Sequence, residues 1–284
     1  MTILDHVRRA AGELADAGIG ADRAAFDAEV LARHVLGWDR ARYLAERRLD
    51  EAPAGFAVSF GDLIGRRRGR EPVAYITGTR EFWGLELEVT RDVLIPRPES
   101  ELIVEETLAA CAGAPPWAIV DVGTGSGCLA VALAHEFQDA HVTATDVSLT
   151  ALVVARRNAV RHGVAGRVRF VQTDLLEGLA LEADVIVSNP PYVASLAAPA
   201  LAPDVRDHEP AVALYGGPTG LDTISRLLAQ AARCLRPGGL LAWEFGYDHE
   251  DDVRALIARG GWRLERIGED LLGIPRVAVV RRER

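Results

Sequence analysis

The sequence predicts an α/β protein: a doubly wound, mostly parallel sheet covered on both faces by helices, preceded by a small helical domain and a β-hairpin. Three observations predict it. From residue 98 onward, near-continuous apolar strands alternate with amphipathic helices, the pattern of a sheet buried on both faces. Residues 1–72 show helical periodicity alone. A glycine-rich turn, "DVGTGSG", follows the first strand of the alternating part, at the sheet edge where such folds bind ligands.

In the front segment, "ILDHVRRAAGELADAG" places Ile3, Leu4, Val7, Ala11 and Leu14 on one helical face. In "AAFDAEVLARHVLG" the apolar face reads as Phe26, Val30, Leu31 and Val35, with Gly37 as the C-cap. "GFAVSFGDLIGRRRG" supplies a further helix, and the basic cluster Gly65–Arg70 reads as its solvated end. Residues 73–97 are rich in aromatic and β-branched residues punctuated by glycine, which predicts a β-hairpin linker. Residues 98–284 form the third part. Its strands are "WAIVDVG", "HVTATD", "VRFVQTD", "ADVIVSN" and "GGLLAWEFG", closed by "GWRLERIGE" and "PRVAVVRR", seven in all. Between them lie the helices "CLAVALAHEF", "LTALVVARRNAVRHG", "GLDTISRLLAQAARCL" and "EDDVRALIARGG".

Composition narrows the function classes. The chain has 284 residues, a length suited to two domains, with 49% hydrophobic and 26% charged residues. No apolar run is long enough to span a bilayer, and the N-terminus lacks the apolar core of a signal peptide. A cytoplasmic protein without membrane contact is expected. The net charge is −9, and every formal cation is arginine, which argues against a generic nucleic-acid binder. Cys111, Cys128 and Cys234 are scattered and read as buried structural thiols. The 7 histidines show no metal-ligand spacing, so no metal is expected.

Two motifs carry the chemistry. In the first, Gly123, Gly125 and Gly127 allow a tight turn and close backbone approach to a ligand, with helix N-terminal amides facing it. Thr124 and Ser126 lie between them. Asp146 ends the second strand, where a carboxylate accepts from both hydroxyls of an adenosine ribose. Asp174 ends the third strand, placed to accept from an adenine amine, with Leu175 offering a backbone amide. The spacing departs from the dinucleotide fingerprint. Asp121, just before the loop, would repel a diphosphate and suits an ammonium. That combination favours S-adenosylmethionine.

The second motif is Asn189-Pro190-Pro191-Tyr192, at the end of the fourth strand. Two prolines make a stiff corner with a free carbonyl at Pro190, and the Asn189 side chain offers a second carbonyl oxygen. Two rigid acceptors can hold both hydrogens of a planar –NH₂ group. Tyr192 adds an aromatic face for a flat substrate or transient positive charge. The corner predicts methylation of a planar amide or amino nitrogen without saying which.

"VLIPRPESELI", "DVGTGSGCLAVALA", "VSNPPYV", "HEPAVALYGGPTGLD" and "LRPGGLLAWEFG", in this order and spacing, resemble the HemK-like protein-glutamine methyltransferases. The resemblance covers most of the chain. It implies a Rossmann-like class I S-adenosylmethionine-dependent methyltransferase domain behind a helical domain that docks the substrate. It implies methyl transfer to the glutamine of the Gly-Gly-Gln motif in class-1 peptide chain release factors, with S-adenosyl-L-homocysteine as product. Gly123 to Gly127 would line the cofactor loop, Asp146 would bind the ribose and Leu175 would neighbour the adenine. Asn189, Pro190 and Tyr192 would be catalytic, with Pro191 completing the grip on the glutamine amide and Asn189 also bordering the cofactor. Arg97 and Glu99 would lie near the pocket mouth or form an ion pair at the hinge. A monomer is expected.

There are departures. Leu175 stands where some members carry an aromatic residue, and Thr219 where an acid is common. A sister group acting on a ribosomal-protein glutamine usually reads "PRSP" where this chain has "PRPE". An adenine-amine methyltransferase of DNA or RNA shares the corner, but would need to extract a base and hold phosphates. A nucleotide-dependent oxidoreductase would need a diphosphate loop, and a non-catalytic module would have no use for the intact corner.

Overall fold

A computed structural model describes residues 1–48 and 51–283. In chain order it contains α1 (Ile3–Asp16), α2 (Ala21–Leu36), α3 (Arg40–Glu46), α4 (Phe56–Arg68), α5 (Val73–Thr77), β1 (Thr79–Phe82), β2 (Leu85–Glu88) and α6 (Glu101–Cys111). There follow β3 (Ala118–Val122), α7 (Cys128–Glu136), β4 (His141–Asp146), α8 (Leu149–Arg161), β5 (Val168–Gln172) and β6 (Ala183–Ser188). The chain closes with α9 (Pro203–Arg206), α10 (Ala211–Leu214), α11 (Asp222–Cys234), β7 (Leu235–Glu244), α12 (Glu250–Arg259), β8 (Trp262–Glu269) and β9 (Pro275–Arg282). Two compact units result, one of Met1–Gly78 with Ala202–His208, the other of Thr79–Leu201 with Glu209–Arg284. Among the described residues no helix is long and apolar enough to cross a membrane.

The smaller unit is helical. Thr2 and Asp5 form a reciprocal capping box at the start of α1, and Gly37 ends α2 in the left-handed conformation at φ 64°. The buried face of α2 differs from the expected one. Ala24, Asp27, Ala28, Leu31 and Ala32 face inward, while Phe26 is exposed. The reason lies in Asp27, which carries a charge into the interior. Its Oδ2 accepts from Arg67 Nε at 2.7 Å, and Arg67 Nη2 also meets Asp204 at 2.7 Å. The small alanines beside Asp27 let the helices close around this pair. The basic cluster is therefore not a solvated helix end. Arg67 is buried, Arg66 grips Glu71 with two hydrogen bonds of 2.8 and 2.9 Å, and Arg70 meets Asp204 at 2.7 Å.

The larger unit begins with the hairpin β1–β2. Its two-residue turn, Trp83-Gly84, has φ of 54° and 68°, the positive values that match strand twist. The segment Val73–Thr77, read as part of that hairpin, is helix α5 instead. Both Asn158 and Arg157 of α8 bind Glu88, so the hairpin docks on the sheet's own helices.

Seven strands form one sheet in the order β5-β4-β3-β6-β7-β9-β8, with β9 antiparallel to both neighbours. Buried Val, Ile, Leu and Ala side chains cover both faces, each large one contributing roughly 1.5–3 kcal/mol. The order reverses at β3 and β6, the switch point where such sheets bind ligands. Register makes the two chemical motifs meet there. Val122 pairs with Ser188 and Ser188 with Trp243, so the glycine loop, Asn189 and Glu244 leave one sheet edge side by side.

Candidate active site

A cavity of about 330 Å³ opens at this edge, within the size range of small-ligand sites. Gly123, Gly125 and Gly127 have φ of 71°, 54° and 83°, the left-handed region glycine enters without strain. A Cβ on Gly127 would lie 3.0 Å from that of Ala155, so the loop runs hard against α8. Thr124 N–H donates to the Thr145 carbonyl at 2.8 Å, which ties the loop to the end of β4.

Asp121 is fully buried. Its Oδ2 accepts from the Thr124 hydroxyl at 2.5 Å and from Ala130 N–H at 3.0 Å, stapling the loop to α7. Burial pushes its pKa up to about 7, against the pull of those two hydrogen bonds. Oδ1 meets no hydrogen-bond partner among the described residues. Asp121 does not line the cavity, so its first task is to hold the loop.

Asp146 does line it. Its Oδ2 accepts from Gly125 N–H and its Oδ1 from Ser148 N–H, each at 2.9 Å, leaving lone pairs on both oxygens. Burial raises its pKa. Asp174 lies two residues beyond the end of β5 rather than in it, and meets Arg226 Nη2 at 2.5 Å. Both line the cavity beside Leu175, a non-glycine residue held at φ 54°. The Thr145 hydroxyl donates to the Leu175 carbonyl at 2.9 Å and helps to hold that turn. Cys128 packs against the core but is not the fully buried thiol expected. It is partly exposed at the start of α7 and lines the cavity, although burial pushes its thiol up to about 12. Among the described residues, no cluster of His, Cys, Asp and Glu could hold a metal ion.

Asn189 and Pro191 also line the cavity. Asn189 Nδ2 donates to Ser100 Oγ at 2.8 Å, and Ser100 Oγ donates to Glu244 Oε2 at 2.5 Å. Tyr192 Oη donates to Glu244 Oε1 at 2.8 Å. Among the described residues no group donates to Asn189 Oδ1 or to the Pro190 carbonyl. Neither acceptor is taken within the described residues, but only Asn189 lines the cavity; Pro190 is buried and outside its wall. Tyr192 differs from expectation. Its ring packs against the core, outside the cavity wall, and its hydroxyl is committed to Glu244. Burial first, and the adjacent Glu244 second, raise the pKa of that phenol. Burial likewise raises that of Glu244, which sits at the end of β7.

Arg97 Nη2 meets Glu209 at 2.6 Å, and Glu209 is buried. Arg97 therefore acts as an ion-pair partner, and neither it nor the exposed Glu99 lines the cavity. The loop around Thr219 has a structural task. A Cβ on Gly216 would lie 2.3 Å from the Pro191 carbonyl oxygen, and one on Gly220 2.2 Å from that of Tyr192. Val193 N–H donates to Leu214 O at 2.9 Å, and Gly216 N–H to Val193 O at 3.0 Å. The glycines let this loop press against the corner's backbone. Thr219 itself only caps the turn, meeting Asp222 at 3.4 Å.

Ser100, Glu209, Glu244, Arg226 and the "GGPTG" glycines escaped sequence reasoning as site residues. The one available signal was an acid inside an apolar strand run, Glu244 in "LLAWEFG".

The sheet order, the glycine loop with an acid at the end of β4, and the Asn-Pro-Pro-Tyr corner define an S-adenosylmethionine-dependent methyltransferase. Residues 100–204 match the family described as methyltransferase small domain, and residues 5–78 match the PrmC N-terminal domain. A solved methyltransferase from Pyrococcus furiosus shares the fold, with a TM-score of 0.54 at 24% identity over 78% of this chain and 100% of that one. The release factor glutamine methyltransferase of Moorella thermoacetica is 43% identical over 96% of each chain. That of Cereibacter sphaeroides is 41% identical over 99% of each. The chain belongs to the release factor glutamine methyltransferase family.

Proposed function

We propose that the protein methylates the side-chain amide nitrogen of the glutamine in the Gly-Gly-Gln motif of class-1 peptide chain release factors, in the cytoplasm and as a monomer. The observation that carries this reading is Asn189, which lines the cavity with no donor on its Oδ1 among the described residues, on a corner that two prolines stiffen; the Pro190 carbonyl, likewise without a donor, would be the second acceptor. An amide –NH₂ offers two hydrogens in one plane, and two fixed acceptors take both. Its nitrogen is a poor nucleophile because its lone pair is delocalised, so orientation must supply much of the rate.

The residues around the loop fit S-adenosylmethionine. Asp146 keeps lone pairs on both oxygens for two ribose hydroxyls. The Leu175 N–H and Asp174 would face the adenine. Asp121, buried behind the loop and outside the cavity wall, would act on the amino-acid part only by holding that loop in place. When bound, the cofactor supplies a methyl group on a positively charged sulfur. The corner would hold the amide nitrogen to take that methyl as the sulfur–methyl bond breaks, and the nitrogen's proton would leave to solvent. The product is S-adenosyl-L-homocysteine. No residue needs to act as a strong base, because a methylated amide nitrogen is acidic. The helical unit would dock the release factor.

The test is incubation with methyl-labelled cofactor, a release factor and its Gln→Ala variant. Label should enter the glutamine protein alone. Equal uptake by both overturns the assignment.

A further inference from the structure

The corner works only if Asn189 turns its oxygen, not its –NH₂, toward the substrate. The two ends of a carboxamide have nearly the same shape, so packing alone does not choose between them. A flipped Asn189 would face the substrate –NH₂ with a second –NH₂, donor against donor.

Hydrogen counting removes the ambiguity. An ionised carboxylate only accepts, and the hydrogen bonds from Ser100 and Tyr192 favour that form of Glu244 against its burial. Glu244 receives Tyr192 Oη at 2.8 Å on Oε1 and Ser100 Oγ at 2.5 Å on Oε2. The Ser100 contact falls in the range of an O–H donating to a charged oxygen. A serine hydroxyl has one hydrogen, and here it points at Glu244. Ser100 Oγ can therefore only accept along its contact with Asn189, and Nδ2 supplies the hydrogen at 2.8 Å. Turning the amide over would set two acceptors against each other at that distance. Ser100 and Glu244 are 1% and 2% exposed, so water has little access to repair the mismatch.

We propose that Ser100 and Glu244 are positioning residues for methyl transfer, fixing the Asn189 amide with Oδ1 toward the acceptor nitrogen. Neither touches the reacting atoms; both act through Asn189. The chain of bonds joins the ends of β6 and β7 to the start of α6, so three elements set one amide's direction. This proposal rests on the corner being the acceptor site.

The experiment compares Ser100→Ala, Asn189→Ala and the double variant, with release factor as substrate and turnover counted per cofactor-binding site. Ser100→Ala should lower kcat about 10- to 100-fold while the Kd for S-adenosylmethionine stays within about two-fold. In the Asn189→Ala background the same change should cost nothing more, because the residue it acts through is gone. Glu244→Gln, the same shape with a donor in place of an acceptor, should lower kcat likewise. An undiminished loss from Ser100→Ala on top of Asn189→Ala overturns the proposal, as does unchanged kcat in Ser100→Ala. A wild-type enzyme inactive on release factor counts against the substrate reading instead. In that case the proton exchange of the Asn189 side-chain amide still decides. It should be slow in the wild type and fast in Ser100→Ala, and equal rates overturn the assignment.

Discussion

At the scale of the residue, two side chains make sharp claims. Asn189 belongs to the corner and lines the cofactor cavity, and its side-chain amide donates to Ser100 Oγ. Asn189→Ala should cut kcat by about 100-fold or more with little change in cofactor Kd, since it removes an interaction with the acceptor. Cofactor affinity falling in step with turnover would reverse its role. Asp121 makes a claim about pH. Its pKa of about 7 lies above the ordinary 3.8, so the folded protein keeps a proton that the unfolded chain has released. Its contribution to stability is full below pH 3.8 and is lost as pH rises through about 7. At 1.36 kcal/mol per unit the spread is roughly 4 kcal/mol. Asp121→Asn should therefore compare more favourably with wild type at pH 8 than at pH 5, read as the difference in Tm. Equal differences at the two pH values contradict a buried, titrating carboxylate.

At the scale of the element, what was legible followed from short-range rules. The glycine loop and the Asn-Pro-Pro-Tyr corner could be read because glycine and proline impose their backbone geometry locally. The strands of the sheet were readable from continuous apolar runs. In helix α2 Leu31 is buried as expected, but the rest of the core face is alanines and one aspartate, so the bulkiest apolar side chain, Phe26, points outward. Periodicity weighs size and polarity and has no means to see that Arg67 waits for Asp27 inside. Ser100, Glu209 and Glu244 were invisible for a similar reason. Their partners stand 52 to 144 residues away, and only the fold brings them together. The "GGPTG" loop gives a prediction at this scale. Gly216→Ala or Gly220→Ala should push on the carbonyls of Pro191 and Tyr192, shift the corner and lower kcat about 100-fold, since displacements of an ångström carry such costs. Gly113→Ala, with open space around it, serves as the control and should leave kcat unchanged. Full activity in both loop variants would remove the loop's role as a buttress.

At the scale of the whole molecule, the helical unit takes in Ala202–His208 as well as the N-terminal helices. Arg67 is at its centre, almost inaccessible and bound to Asp27 and Asp204 together. Arg67→Ala would remove the cation that joins two carboxylates, leaving the buried Asp27 with the exposed Arg23 and Asp204 with Arg70. A loss of about 3–5 kcal/mol is expected, measured by urea unfolding; a loss under about 1 kcal/mol would show that the network is incidental. The central claim is that this fold aims one planar amide nitrogen at the cofactor. Mass-spectrometric fragmentation of a release factor after reaction with the enzyme tests it most directly. A single methyl group is expected, on the side-chain nitrogen of the Gly-Gly-Gln glutamine. A methyl group on any other residue, or none on that glutamine, would contradict it.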